Sequence, residues 1–227
     1  MQPQLILEQW PSWIYEISVS KTELTAALLS FWCVWLAAKN NVLNWPVAMA
    51  GSAIYVVVFF QGALYSDAFL NVVFLFFQGF GWYSWKKSIS GKFANPAEMG
   101  DHAAPSMASG LDLLRIFAVG ALCYYPWTLF VKSGTVQQWI SPGSFQPPRF
   151  LYLDAALFIV SIIALYMQAK RWIQHWFLWI LIDVVYVPVY WQNDNQITAL
   201  LYTLYIPLAV KGYLLWRVNL QERTAVG

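Results

Sequence analysis

The chain has 227 residues, of which 59% are hydrophobic and only 11% charged, with a formal net charge of +2. Ordinary soluble domains carry about a quarter charged residues, so this composition excludes a typical soluble globular protein. The net charge is too small to suggest nucleic-acid binding, so no nucleic-acid partner is expected.

Seven apolar segments of near-membrane length follow one another along the chain. A helix needs about 20 predominantly apolar residues to cross the hydrocarbon core of a bilayer. Residues 1–20 carry Glu8, Glu16 and two prolines, and are predicted to be a short extramembrane lead-in. The predicted spans are 21–39, 44–62, 66–85, 111–131, 150–169, 172–191 and 195–216. The sequence therefore predicts an all-α integral membrane protein that lies in the lipid bilayer with seven transmembrane helices.

Basic residues are distributed unequally between the two predicted sides of the membrane, and they are retained on the cytoplasmic side. One side holds Lys21, Lys132 and Arg149. The other holds Lys39, Lys86, Lys87, Lys92, Lys170, Arg171, Arg217 and Arg223. This distribution predicts a periplasmic N-terminus and a cytoplasmic C-terminus, with residues 86–110 as a cytoplasmic loop and 217–227 as a cytoplasmic tail.

An internal repeat relates the two ends of the chain. When the sequence is shifted by 131 residues, residues 19–85 lie over 150–216 without a gap, and polar and aromatic residues coincide as well as apolar ones. The matched pairs include Lys39 and Lys170, Trp45 and Trp176, Gln61 and Gln192, Gly81 and Gly212, and Trp85 and Trp216. We therefore predict two parallel three-helix repeats, 21–85 and 150–216, joined by linker helix 111–131. Transporters often bind their substrate between such halves.

The sixth segment carries a polar and aromatic face. Trp172, Trp176, Trp179, Asp183, Tyr186 and Tyr190 recur at spacings of 3 and 4, which places them on one side of a helix. An ionised aspartate near the centre of a span costs about 2.5–3.5 kcal/mol, so this side is predicted to face the protein interior. Aromatic rings beside one carboxylate suit a flat, cationic ligand, although an aromatic stripe also serves helix packing or an interfacial belt.

The third segment has a second polar face, where Asn71 and Gln78 are seven residues apart. Buried amides need hydrogen-bond partners, which other helices or the hydroxyl groups of a ligand would supply.

At these residues the sequence resembles the PnuC family of vitamin transporters. The resemblance rests on Trp176-Phe-Leu-Trp179-Ile-Leu-Ile-Asp183, on Gly81-Trp-Tyr-Ser-Trp85, on Tyr152-Leu-Asp-Ala155 and on Thr198-Ala-Leu-Leu-Tyr202. It covers residues 20 to 218, nearly the whole chain. It implies a three-plus-one-plus-three fold similar to a doubled half-SWEET transporter, usually a homotrimer, in the bacterial inner membrane.

The resemblance also implies a function and a site. The expected activity is facilitated diffusion of nicotinamide riboside, trapped by a cytoplasmic kinase, with thiamine, riboflavin or a deoxynucleoside as alternative substrates. No cofactor or metal is expected. The family has an Asn in its second helix where this chain has Gly51 beside Ser52, and often a Gln where this chain has Asn71. The predicted substrate-binding residues are Trp176, Trp179, Asp183, Tyr186, Asn71, Gln78, Ser52 and Trp45.

Other classes fit the sequence less well. An intramembrane enzyme needs a nucleophile with a base or metal ligands, and neither HExxH nor GxSxG occurs. A photoreceptor could use Lys211 for a Schiff base, but this lysine lies close to the cytoplasmic end of its span. A passive scaffold leaves the duplicated polar faces unexplained. The absence of a GxxxxGK[ST] loop excludes an ATP-driven pump within this chain.

Overall fold

Seven α-helices make up nearly all of the part of the chain that the structure describes. This structure is a computed structural model that describes residues 21–61, 65–90, 104–135, 138, 150–192 and 196–224. The helices are α1 (Lys21–Ala38), α2 (Asn44–Gln61), α3 (Tyr65–Ser90), α4 (Gly110–Ser133), α5 (Leu151–Ala169), α6 (His175–Gln192) and α7 (Gln196–Thr224). The prediction of an all-α protein with seven helices is confirmed. The predicted lead-in, most of the cytoplasmic loop and the end of the tail lie outside the described residues.

Most helix ends fall within a few residues of their predicted positions, and two helices are longer than predicted. α3 continues through Lys86 and Lys87 to Ser90, and α7 continues to Thr224. A lysine pair ends an apolar segment, but it does not end a helix, because lysine has a high helix propensity. The predicted loop 86–110 therefore begins too early, because its first five residues, 86–90, belong to α3. The division into domains stays a prediction.

Among the helices of the described residues, three are long and apolar enough to cross a membrane by length and hydropathy. They are Gly110–Ser133, Leu151–Ala169 and Ala199–Glu222, and Leu24–Ala38 is a shorter apolar helix. α6 is rich in tryptophan and tyrosine, whose rings combine an apolar body with a polar tip, so hydropathy alone undervalues it. A membrane-spanning role for the other four helices stays a prediction from the sequence.

The turns that follow α1 and α5 have the same backbone structure. Asn40 and Arg171, 131 residues apart, both adopt a left-handed conformation with φ values of 52° and 56°. The hydrogen bond from Asn41 N to Leu36 O (2.9 Å) recurs as the bond from Trp172 N to Met167 O (2.9 Å). These repeated details support the predicted duplication, and the parallel three-plus-one-plus-three arrangement remains our interpretation of them.

A pair of matching hydrogen bonds joins the two halves. The indole nitrogen Nε1 of Trp85 on α3 donates to the carbonyl oxygen of Gln168 on α5 at 3.1 Å. The Nε1 of Trp216 on α7 donates to the carbonyl oxygen of Ala37 on α1, also at 3.1 Å. Both donors and both acceptors are related by the 131-residue shift. We call this pair of contacts the seam.

Arg171 strengthens the seam from the α5–α6 turn. Its guanidinium lies over the ring of Trp85 at 4.2 Å, and its Nε donates to Asn40 Oδ1 at 3.3 Å. Burial lowers the pKa of Arg171 to about 10, so the side chain remains charged at neutral pH. A planar guanidinium stacked on an indole is a favourable arrangement.

Residues 106–108, at the end of the predicted cytoplasmic loop, pack on the same α5–α6 turn. Ser106 N donates to Arg171 O and Ile173 N donates to Ser106 O, both at 2.9 Å. The side-chain amide of Gln174 both donates to and accepts from the backbone of Ala108, at 3.1 Å each. α4 then begins at Gly110, after Ser109 caps the backbone N–H of Asp112. The end of the predicted cytoplasmic loop is thus attached to the second half just before α4 starts.

Candidate functional site

Two helix pairs, α2 with α3 and α6 with α7, carry the predicted polar residues. In the first pair, Gln78 on α3 donates from Nε2 to Ser52 Oγ on α2 at 2.9 Å. Both side chains are buried, at 8% exposure each. The oxygen Oε1 of Gln78 has no hydrogen-bond partner within the described part of the chain. A buried amide oxygen without a protein donor can accept a hydrogen bond from a ligand hydroxyl.

The second pair has different chemistry at the matching positions. Asp183 on α6 corresponds to Ser52, and Ala209 on α7 corresponds to Gln78. Asp183 is 4% exposed. Because Ala209 has no polar side-chain atom, it cannot give Asp183 the hydrogen bond that Gln78 gives Ser52. The duplicated scaffold therefore holds a neutral amide–hydroxyl pair in one half and a carboxylate in the other.

Four tyrosine rings form a cluster on α6 and α7, and two of them, Tyr202 and Tyr205, lie near Asp183. Tyr186 and Tyr190 on α6 each lie within 5.3 Å of Tyr202 on α7, and Tyr205 lies 5.6 Å from Tyr202 between ring centroids. Tyr202 and Tyr205 both interact electrostatically with Asp183, and Tyr205 interacts also with Tyr55 on α2. Tyr205 is therefore placed between the two halves. The site prediction omitted Tyr202 and Tyr205, although their three-residue spacing in an apolar helix was a signal for a shared face.

Trp179 lies half-buried on α6, one turn from Asp183. Its indole Nε1 donates to Gln168 Oε1 on α5 at 3.3 Å. Gln168 is not among the residues predicted from the sequence. The available signal was a polar side chain near the end of a long apolar segment, which needs a hydrogen-bond partner when it is buried.

Trp176 and Trp45 are packed in the core instead of adjoining the polar residues. Each is 1% exposed. Trp176 forms an edge-to-face contact with Trp216 at 5.7 Å, and Trp45 forms the matching contact with Trp85 at 5.5 Å. Both also lie against a glycine of the neighbouring helix. Their packing role is thus evident, while direct ligand contact by either indole stays a prediction.

Asn71 lies on α3 two turns before Gln78 and is half-buried. Seven residues correspond to about 10.5 Å along a helix axis, so Asn71 lies two turns from Gln78, and its contact with a ligand stays a prediction. Asn71 already interacts with the protein. The structure therefore brings Ser52 to Gln78 and Tyr186 to the Asp183 region, while Asn71 lies further along the helix.

Metal binding has no support in the described residues, where no group of three or more His, Cys, Asp or Glu side chains could hold an ion. His175 is fully buried between Trp176 and Trp216, and its Nδ1 is 2.8 Å from the carbonyl oxygen of Trp172. This histidine occupies the position of Asn44 in the first half, whose Nδ2 makes the matching bond to Asn41 O. We infer that it serves the turn structure.

A helical bundle with apolar helices long enough for a bilayer and buried polar side chains in its interior is typical of polytopic membrane transporters. The chain belongs to the nicotinamide mononucleotide transporter family, whose model matches residues 20–218. The resemblance to PnuC proteins seen in the sequence is confirmed. The family and its relatives are transporters, so the assignment to transport and not to catalysis is also confirmed.

Curated relatives match over most of their length. The nicotinamide riboside transporter PnuC of Escherichia coli (strain K12) is 24% identical over 216 residues, covering 90% of this chain and 88% of that protein. The riboflavin/roseoflavin transporter RibM of Streptomyces davaonensis is 23% identical over 212 residues, covering 89% and 87%. A crystal structure of the vitamin B3 transporter PnuC superposes with a TM-score of 0.67 at 20% identity, covering 93% of this chain and 86% of that one. At this identity the superposition supports the fold alone.

Proposed function

We propose that this chain is a facilitated-diffusion transporter of a vitamin precursor, with nicotinamide riboside as the preferred substrate. The observation that carries the proposal is the asymmetric polar interior, in which Asp183 and Trp179 lie on one half while Gln78 offers a spare acceptor on the other. Nicotinamide riboside combines a flat pyridinium cation with a hydroxylated sugar. The carboxylate and the indole suit the cation, and the amide oxygen suits a sugar hydroxyl.

Riboflavin is the second candidate, because RibM matches this chain about as well as the nicotinamide riboside transporters do. The isoalloxazine ring is flat and uncharged, so stacking on Trp179 and the tyrosine rings would support it while Asp183 would contribute little. The two candidates therefore differ in how much they depend on the carboxylate.

Calorimetric titration of the purified protein with nicotinamide riboside, riboflavin and thiamine in parallel distinguishes these substrates. We expect nicotinamide riboside to bind most tightly. Trp179→Ala is expected to weaken its affinity about 10-fold or more, because a ring stacked on a ligand contributes about 1–3 kcal/mol. Trp191→Ala is the matched control, since this tryptophan is exposed at the end of the same helix, and it should leave the affinity unchanged. Wild-type affinity in Trp179→Ala would refute the proposed site, and tightest binding of riboflavin would favour the alternative substrate.

The proposed cellular setting is the bacterial inner membrane, with the N-terminus periplasmic and the C-terminus cytoplasmic. The exposed residues Lys132 and Arg217 lie near opposite predicted sides. In a variant without Cys33 and Cys123, a cysteine at position 132 should react with an impermeant maleimide in intact cells, and a cysteine at position 217 should react only after lysis. The reverse pattern would contradict the orientation.

We also propose a homotrimer and metabolic trapping, as the family resemblance implies. Native mass spectrometry of the detergent-solubilised protein would show three copies per particle if the first proposal is correct. A cytoplasmic kinase that phosphorylates the substrate would prevent its return. Deletion of that kinase should abolish accumulation of labelled substrate while leaving its exchange across the membrane intact.

A further inference from the structure

The side chain of Gln168 joins three parts of the bundle near the seam. It projects from α5 and is 6% exposed. Its Oε1 accepts from Trp179 Nε1 on α6 at 3.3 Å, and its Nε2 donates to Asn44 Oδ1 at the start of α2 at 3.1 Å. Its backbone oxygen is one of the two acceptors of the seam. One residue thus contacts a predicted ligand-binding indole and the opposite half of the protein.

The direction of each hydrogen bond in this network is fixed by the chemistry of its ends. An indole N–H can only donate and a backbone carbonyl can only accept. Asn44 Nδ2 donates to the carbonyl of Asn41 at 2.6 Å, which leaves its Oδ1 to accept from Gln168. The Gln168 oxygen must then point toward Trp179. The network is fully satisfied in one arrangement, and such networks hold side chains in defined positions.

The duplicated fold does not require this network. The position that matches Gln168 in the first half is Ala37, and the position that matches Trp179 is Ala48. The seam bonds occur in both halves because they involve only backbone acceptors and the duplicated tryptophans. The bond to Trp179 occurs in one half, the half that also carries Asp183. A feature that breaks the symmetry at the candidate site is better explained by the site than by the scaffold.

We propose that Gln168 is a positioning residue that holds the Trp179 ring for the ligand and links the ring to the first half through Asn44. This inference rests on the proposed function, because it takes Trp179 as a ligand contact. When the halves move relative to each other, the hydrogen bond between Asn44 and Gln168 changes, and with it the hydrogen bond that holds the Trp179 indole. The affinity for the substrate then depends on the relative position of the two halves, as alternating access requires.

Fluorine NMR of protein labelled with 5-fluorotryptophan tests the contact without any ligand. The Trp179 resonance is assigned by its loss in Trp179→Phe. In Gln168→Leu, and in the near-isosteric Gln168→Met, we expect this resonance to shift while that of Trp191, which is exposed at the far end of α6, stays in place. Ser84→Ala is the matched control, since Ser84 Oγ contacts Ala169 O at the same α3–α5 boundary and should leave the Trp179 signal unmoved. An unshifted Trp179 resonance in both Gln168 variants overturns the inference.

Titration with nicotinamide riboside tests the consequence for binding. Gln168→Leu should weaken the affinity about threefold to tenfold, the range expected when the hydrogen bond that holds the Trp179 indole is lost. In the Trp179→Phe background, which keeps a ring but lacks the N–H, the same substitution should cost less than about twofold. Equal weakening by Gln168→Leu in both backgrounds would overturn the inference. The proposed site would still stand in that case if Trp179→Ala weakened binding. No binding of nicotinamide riboside to the wild type would overturn the proposed substrate together with this inference.

Discussion

Gly81→Ala is expected to destabilise the protein strongly, although the substitution adds a single methyl group. A Cβ at position 81 would lie well inside van der Waals contact of Trp45 Cη2 and Cζ3. The Trp45 ring is fully buried and held edge-to-face against Trp85, so it has no room to withdraw. Overpacking of this kind costs about 1–3 kcal/mol, which corresponds to a loss of roughly 2–12 °C in melting temperature for a chain of this length. Thermal unfolding in detergent measures it.

Gly79→Ala provides the matched control two residues earlier on the same helix. A Cβ at position 79 would meet no atom within 4 Å, and alanine favours a helix over glycine by about 1 kcal/mol. We therefore expect a neutral or slightly raised melting temperature. Gly212→Ala should reproduce the loss seen at Gly81, because its Cβ would lie 2.5 Å from Cη2 of Trp176. Equal stability of the variants at 79 and 81 would contradict the close packing of tryptophan on glycine.

The sequence was sufficient to predict the seven helices, and the predicted duplication remains an interpretation that the repeated turns and the seam support. The order of the helices follows from long apolar segments. In the sequence, the 131-residue shift matches Trp45 with Trp176 and Gly81 with Gly212. It does not indicate that each tryptophan contacts the glycine of its own half. That each tryptophan fills the space left by its glycine is a tertiary fact, since the two residues are 36 positions apart in both halves.

The roles of the predicted site residues were harder to separate. Trp176 and Trp179 share one helical face, yet Trp176 packs in the core while Trp179 is half-buried and bonded to Gln168. Residues on one face of a helix can have different environments, because part of the face packs against a neighbouring helix and part faces the interior of the bundle. Only the neighbouring helices decide which side chain meets which, and a periodic pattern in one segment contains no information about them.

The interior of the protein is asymmetric although its framework is duplicated. The turns after α1 and α5, the seam and the tryptophan–glycine contacts are repeated in the two halves. The polar positions further along the helices differ between the halves. A symmetric framework lets the halves move as similar units, while unequal interior chemistry gives a small asymmetric ligand one preferred orientation.

Asp183→Asn is expected to reduce the affinity for nicotinamide riboside by about 10-fold to 100-fold. The substitution keeps the size of the side chain and removes the negative charge. Asp183 is 4% exposed, near the middle of α6, where a charge interacts more strongly with a ligand cation than it would in water. Calorimetric titration at constant pH and ionic strength measures the change. Asp112→Asn, a substitution in the first turn of α4, is the control and should have no effect.

The charge of the ligand supplies the decisive comparison. Thiamine also carries a permanent positive charge, so any affinity for it should fall with Asp183→Asn in parallel with nicotinamide riboside. Riboflavin is uncharged, and its affinity should change less than about threefold, because only a dipole and a hydrogen bond are altered. If the substitution weakened all three ligands equally, Asp183 would be acting on the shape of the site. A selective loss of the cations would instead establish Asp183 as the group that recognises positive charge in the interior.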